Sequence, residues 1–239
     1  MPESFREPRD AAAGSPADVH PELIDARSYI DRLRVHHVDL AKRFLEADDG
    51  ALYTVDLMVA AVMNRSYELV DGFIDAFDHW NLVVAAPILR MQIDSLTRMA
   101  YMAAAPSADE IALHVIGGGE FRELKDAEKG KLTDRRLIEH AEEAHPWIEP
   151  VYEATSGWVH LSPAHMFAAW QIEDIEVEGE QAYKNLLGSI PSRPERIPVS
   201  SLSELIEAMI QATGEIFGYA ELWESRKGLP PGEMRDIST

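Results

Sequence analysis

The segment SGWVHLSPAHMF, residues 156–167, brings serine and histidine together at spacings that can support chemistry. Ser156 precedes His160 by four residues, so both side chains lie on one face if the segment is helical. A serine acts as a nucleophile when a histidine takes its proton and a carboxylate orients the ring. The chain has no G-x-S-x-G elbow, and a histidine at a helix end also forms ordinary hydrogen bonds inside a core. Ser156 and His160 are therefore candidate catalytic residues, with a purely structural pair as the alternative.

A second polar set lies along a helix that is predicted to begin near Asn81. Arg90, Asp94 and Tyr101 follow one narrow line of this helix between two apolar stripes, and Arg90 can pair with Asp94 at i, i+4. If the line faces solvent, this ion pair is ordinary. If it faces the helix that carries His160, Arg90 and Asp94 support that histidine in a polar pocket.

Three further residues are candidates for binding: Arg65, Tyr101 and His165. Arg65 falls in line with apolar residues of the preceding helix, where a buried arginine needs a carboxylate partner. Tyr101 belongs to the polar line, and His165 follows the SGWVH stretch.

Spacing argues against a metal site. Glu142 and His145 form one E-x-x-H unit, but a di-iron bundle needs two such units and two further glutamates. The chain has no second unit, and Pro146 ends the helix at the motif. Without cysteine the chain cannot form thiolate sites or disulfides, so we expect no metal and no cofactor.

The apolar periodicity predicts the elements that must position these residues. Long amphipathic helices are expected first, then two short strands that can form a hairpin. The helices are predicted over 23–47, 52–79, from 81, over 134–144 and 147–161, and from a Ser201–Glu204 capping box onwards; the strands are predicted over 166–175 and 196–199.

These elements indicate a mainly α, single-domain helical bundle with at most one short β-hairpin near 166–199. Residues 1–18 are polar and are expected to form a disordered tail. The helical domain is predicted over 19–228, with a C-terminal tail over 229–239.

Composition narrows the classes of partner. The 239-residue chain has a formal net charge of −20 and scattered basic residues, which disfavours nucleic acid. The most apolar run contains Arg90, Gln92 and Asp94, so no membrane span is expected, and a cytoplasmic protein is predicted. Helices that are apolar on two sides predict a homo-oligomer.

The run KLTDRRLIEHAEEAHPWIEPVYEATSGWVHLSPAHMF resembles a pattern in bacterial HEPN-like helical proteins, in which TD…L leads to Y…S…VH.S..H. In that pattern an upstream helix carries an arginine four residues before an acidic residue, as with Arg90 and Asp94. The resemblance spans about residues 50–220 and implies a helical bundle with hydrolase or ribonuclease activity. The HEPN signature, an arginine and a histidine separated by four to six residues, is not in the equivalent place. It occurs at Arg32…His37, where His37 lies in an apolar stripe, and at Arg135…His140.

Two classes of function remain open from the sequence. One is a non-catalytic, homo-oligomeric module, a homodimer at its simplest, that binds a protein or a small ligand. The other is a HEPN-like hydrolase or ribonuclease that uses His160 with Arg90, Asp94 and Ser156. The two differ in whether these four side chains converge in one cleft.

Overall fold

The computed structural model of the chain describes residues 14–159, 170–177, 180–187 and 197–229. Within these ranges the chain forms eight α-helices and one antiparallel pair of strands. The elements in chain order are α1 (Pro16–Val19), α2 (Ile24–Glu46), α3 (Thr54–Asp78), α4 (Leu82–Ala104), α5 (Ala108–Ile116), α6 (Asp134–Glu142), α7 (Ile148–Val159), β1 (Trp170–Val177), β2 (Glu180–Leu187) and α8 (Val199–Arg226). The mainly α fold predicted from the sequence is confirmed.

The four long helices α2, α3, α4 and α8 pack together as a bundle, with α5 against α3 and with α6 and α7 against α4. Each long helix turns a stripe of apolar residues inward, and burial of these stripes is the main favourable contribution to folding. The largest fully buried side chains include Leu23, Ile30, Leu40, Phe44, Phe73, Phe77, Leu89, Ile93, Leu96 and Met99.

Ion pairs fasten both ends of the α2–α3 pair. At one end, Arg27 donates two hydrogen bonds of 2.8 and 2.7 Å to the carboxylate of Asp78. At the other end, the Lys227 ammonium lies 3.3 Å from Asp56, and both side chains are only 2% exposed. Lys227 also donates to the carbonyl of Phe44 at 2.9 Å, so α8 is joined to the end of α2 and the start of α3.

Between these ends, one buried polar side chain from each long helix contributes to a continuous set of hydrogen bonds. The Gln92 amide nitrogen on α4 donates to Ser66 Oγ on α3 at 2.6 Å and to Thr213 Oγ1 on α8 at 3.0 Å. His37 Nε2 on α2 lies 2.9 Å from Ser66 Oγ. Such a network specifies how four helices meet, because these hydrogen bonds form together in only one arrangement of the helices.

The neighbours of His37 determine its protonation. Its Nδ1 lies 3.0 Å from the Leu33 carbonyl, which only accepts, so Nδ1 carries the hydrogen. In the neutral ring Nε2 then accepts from the Ser66 hydroxyl, whose oxygen is left to accept from Gln92. Burial lowers the pKa of His37 to about 4. The hydrogen bond to the Leu33 carbonyl raises the pKa, but by less. The expectation that His37 is a satisfied core histidine is confirmed, since its ring is 2% exposed.

Three local expectations differ from the structure. The second strand pairs over 180–187 and not over 196–199, because only Glu178 and Gly179 separate it from β1, and so short a connection favours a hairpin. The last helix begins at Val199 after Pro198, so Ser201 lies inside its first turn and is not its cap. The short helix α1 and its Ser15 cap lie within the segment assigned to an N-terminal tail; residues 1–13 and 230–239 lie outside the described ranges.

We expect acid to weaken the fold through His37. Its pKa is about 4 in the folded protein and near 6.5 in the unfolded chain, so the unfolded chain binds more protons between these values. The contribution of His37 to the free energy of unfolding is complete above pH 6.5. It falls as the pH is lowered towards 4, and the total loss is up to roughly 3 kcal/mol. Urea unfolding over this pH range measures it. His37→Gln should show a shallower pH dependence than the wild type, whereas the exposed-site control His79→Gln should keep the wild-type slope. Equal slopes for all three proteins would contradict this assignment.

Candidate functional site

The polar line of α4 is largely covered by α6 and α7. Arg90, Asp94 and Arg98 follow one another at four-residue intervals, and their side chains are 13%, 18% and 22% exposed. The line is therefore not a solvent-exposed face, which was one of the two orientations that the sequence allowed. The position of this line follows from helix geometry. Arg90 and Asp94 are each two residues from Gln92, which is buried in the bundle, and they therefore lie about 160° around the helix axis from it.

The expected Arg90–Asp94 pair is replaced by a longer series of ion pairs. Asp94 accepts from Arg98 and from Arg65, the latter at 3.2 Å. Arg98 reaches the Asp134 carboxylate at 3.2 Å, and Arg90 lies 3.6 Å from the same carboxylate. An acid four residues before a base pairs better on a helix than the reverse order, which favours Asp94–Arg98 over Arg90–Asp94.

Arg65 has a carboxylate partner in Asp94, but its side chain is 42% exposed, so it is not the buried arginine that its place in an apolar line suggested. Besides Asp94, its guanidinium donates to the Ser95 hydroxyl at 2.6 Å, and this joins α3 to α4. The partner Asp134 is the first residue of α6, where Thr133 caps the helix and the helix dipole favours a negative charge. The ion pairs thus fasten α3, α4 and the start of α6 together.

Tyr152 connects α7 to this group. The Arg90 guanidinium carbon lies 3.6 Å from the centre of the Tyr152 ring, a close cation–π contact. One turn later, the Ser156 hydroxyl donates to the Tyr152 carbonyl at 2.6 Å. Its hydrogen is therefore directed to the backbone and not to a base, which is not the arrangement of an activated nucleophile.

The structure brings Ser156, through Tyr152, into the neighbourhood of Arg90. It also brings Asp94 and Arg65 into direct contact with each other. His160 and His165 lie outside the described residues, so the convergence expected of His160 with Arg90, Asp94 and Ser156 stays a prediction.

Tyr101 lies at the far end of the polar line and belongs to a different group. Its ring meets the edge of His140 at 5.2 Å between ring centres, and His140 Nε2 lies 3.1 Å from Asp126. Burial, and then the charge of Asp126, raise the pKa of Tyr101. The hydrogen bond from Arg136 is the main reason that the pKa of Asp126 is lowered to about 2. Burial opposes this shift, and the hydrogen bond with His140 adds to it. Asp126 also accepts from the Gly130 backbone N–H at 2.8 Å, so this group holds the loop before α6 in place.

The E-x-x-H unit does not form a metal site in the described part of the chain. His145 turns towards α8, where its Nε2 lies 2.8 Å from the Tyr219 hydroxyl and its Nδ1 lies 3.7 Å from Glu215. Burial lowers the pKa of His145, and the charge of Glu215 opposes this shift more weakly. Among the residues that the structure describes, no group of three or more histidine, aspartate or glutamate side chains is placed to hold a metal ion.

Sequence reasoning missed three members of the site: Arg98, Asp134 and Tyr152. Arg98 had a usable signal, since it follows Asp94 by four residues in the favourable order. Asp134 and Tyr152 join α4 from elements far along the chain, and local spacing holds no signal for such contacts.

Comparisons with family models, curated proteins and solved structures find no match to this chain. None of the described helices has the length and apolar character needed to span a bilayer. What this site does must therefore be argued from its own geometry.

Removal of the Asp94 carboxylate tests its place in the ion-pair series. We expect Asp94→Ala to lower the free energy of unfolding by about 1–3 kcal/mol, because Arg65 and Arg98 lose the carboxylate between them. Asp71→Ala is the matched control, since Asp71 pairs with Arg34 between α2 and α3 with both side chains about 40% exposed. We expect that control to cost well under about 1 kcal/mol. Chemical denaturation measures both variants, and equal losses would show that the Asp94 pairs are no stronger than exposed ones.

Proposed function

We propose that the chain is a non-catalytic, homo-oligomeric helical module that binds a small anionic ligand, of the carboxylate or phosphate class, beside Arg90. The proposal is carried by the charge balance of the ion-pair series. Three guanidinium groups, those of Arg65, Arg90 and Arg98, face the two carboxylates of Asp94 and Asp134. One positive charge is thus in excess at this place, in a chain whose formal net charge is −20.

Arg90 is the least exposed of the three arginines, at 13% against 42% for Arg65 and 22% for Arg98, but its ion pair is the most loosely held. Its 3.6 Å separation from Asp134 is the longest in the series, and the Asp134 side chain is 53% exposed and can move aside. The Arg90 guanidinium carbon lies over the Tyr152 ring, and a guanidinium stacked in this way can still use the N–H groups of its edge as paired donors to carboxylate or phosphate. Its low exposure also strengthens any charge interaction there relative to open solvent.

A HEPN-like hydrolase or ribonuclease that uses His160 with Arg90, Asp94 and Ser156 is the alternative that the resemblance implies. Two contacts support the binding function instead. The Ser156 hydroxyl is engaged by a backbone carbonyl, and Asp94 is held between two arginines and is not free to orient a histidine. Hydrolysis of RNA or of a simple ester by the purified chain, lost in His160→Ala, would favour the alternative.

We place the module in the cytoplasm as a homo-oligomer. A chain without cysteine suits a reducing compartment. Large apolar side chains are exposed on several helices, among them Val35 and Val38 on α2, Leu57 on α3 and Leu113 on α5. Association of copies would remove some of this surface from water.

Ligand-dependent stability tests the proposed anion site. Inorganic phosphate, acetate and succinate are added at constant ionic strength, and the melting temperature is followed. A ligand at about ten times its Kd stabilises the folded state by about 1.4 kcal/mol, which raises the melting temperature of a chain of this size by roughly 3–6 °C. We expect at least one of the three anions to give such a rise in the wild type.

The rise should disappear in Arg90→Ala and be weaker in Arg90→Lys, which keeps the charge but not the planar donor pair. Arg34→Ala is the matched control, because it removes an arginine from an exposed pair with Asp71 far from the site. The same rise in all four proteins would identify a general ion effect and contradict a site at Arg90. The lack of any rise in the wild type would contradict binding of these anion classes.

A further inference from the structure

The outer face of α2 is apolar at its centre. The inner face buries Ile30, Leu33 and Leu40, whereas Val35 and Val38 point away from the bundle and are 64% and 44% exposed. Isolated exposed apolar residues are common, but two β-branched residues three apart form one patch on a helix. The patch lies midway along a helix of 23 residues.

A shallow surface depression of about 390 Å³ lies beside this patch, lined by Asp31, Arg32, Val35, His36 and Asp39. Arg32, Val35, His36 and Asp39 stand at i, i+3, i+4 and i+7. Four residues in this relation form the diamond that accepts one side chain from a facing helix in knobs-into-holes packing. The shape of the face therefore suits a second helix.

The charges on this face are arranged as a palindrome. Asp31, Val35, Val38 and Lys42 follow at intervals of four, three and four residues. When the same face is placed against itself in the antiparallel direction, Asp31 meets Lys42 of the other copy at both ends, and the valines meet in the middle. Arg32 and Asp39, seven residues apart on the adjoining flank, are also brought near each other, about 3 Å out of this register along the helix axis, a distance that the long arginine side chain can span. A parallel arrangement would instead set like charges opposite each other.

The occupant that this pattern fits is a second copy of the chain. Two copies that each carry a formal charge of −20 repel one another over most of their surfaces. The interface set on α2 holds two acids, Asp31 and Asp39, and two bases, Arg32 and Lys42, so these four side chains carry no net charge. Asp31 also accepts from Arg27 of its own helix at 2.7 Å, and its side chain remains 49% exposed. Copies can approach here without repulsion, and a two-fold axis makes every contact occur twice.

We propose that two copies of the chain associate through antiparallel packing of their α2 helices, with the two-fold axis close to residues 36 and 37. Val35 and Val38 form the apolar centre, and Asp31 with Lys42 and Arg32 with Asp39 form the charged edges. This inference rests on the homo-oligomeric state in the proposed function and specifies the surface that produces it.

Charge exchange tests this interface by light scattering coupled to size-exclusion chromatography over a concentration series. Either single variant, Asp31→Lys or Lys42→Asp, sets like charges opposite each other at two places. We expect it to weaken the affinity of the dimer at least tenfold, which is about the energy of several surface ion pairs. The double variant Asp31→Lys with Lys42→Asp restores complementarity and should restore the dimer. Glu68→Lys, the same charge change on an exposed position of α3, is the control and should leave the dimer unchanged.

Cysteine cross-linking gives a second, independent test, because the chain has no cysteine of its own. Val35→Cys places its only thiol near the two-fold axis, where two Cα atoms can come within the 4.4–6.8 Å that a disulfide requires. Mild oxidation should give a dimer that reductant separates. Val84→Cys is the control, since Val84 is a similarly exposed valine on α4, and it should stay monomeric on a denaturing gel.

The outcomes separate this inference from the rest of the proposal. A wild-type monomer at all concentrations overturns both the interface and the homo-oligomeric state, while binding of anions at Arg90 is measured separately. A dimer that is unaffected by the single charge variants, and that is not cross-linked through Val35→Cys, overturns this surface alone. Loss of the dimer in either single variant and its return in the double variant support the antiparallel α2 interface.

Discussion

Gln92 is the point at which all four long helices are tied together. Its amide hydrogens reach Ser66 and Thr213, and Ser66 in turn meets His37, so one side chain from each helix takes part. Apolar stripes alone allow helices to slide or rotate against each other at modest cost, whereas a buried polar group left without its partner costs about 1–3 kcal/mol. The arrangement of the bundle therefore depends on this chain of hydrogen bonds, although the Gln92 carbonyl oxygen itself has no hydrogen-bond partner among the residues that the structure describes.

The orientation of the candidate site follows from that constraint. Once Gln92 points into the bundle, Arg90 and Asp94 must point to the opposite side of α4, where α6 and α7 cover them. The arginines are then partly desolvated, so each needs a carboxylate or an aromatic ring nearby, and Asp134 and Tyr152 supply these. The orientation of α4 about its own axis therefore determines both the packing of the bundle and the position of the site.

The long helices were predictable because their apolar residues recur at helical spacing over many turns, as in α3 and α8. The polar line on α4 was predictable for the same reason, although Arg65, which its apolar line placed inside the bundle, is 42% exposed. The pairing of Arg90 was not, because Asp134 is 44 residues further along the chain and its contact exists only after α6 has packed on α4. Periodicity reports which face of a helix a residue occupies, whereas partners from distant elements depend on packing that no local pattern encodes.

Asp134 has two roles that oppose each other. It fixes the first turn of α6 to α4, and it neutralises the guanidinium groups of Arg90 and Arg98. An anion bound by Arg90 competes with this carboxylate, so binding must either displace the start of α6 or add to a site that already holds one negative charge. In the first case, ligand binding weakens the docking of α6 on α4. Docking of α6 weakens ligand binding by the same free energy, because coupling between two binding events is reciprocal. The proposed anion site is thus also the place where α4 and α6 are joined.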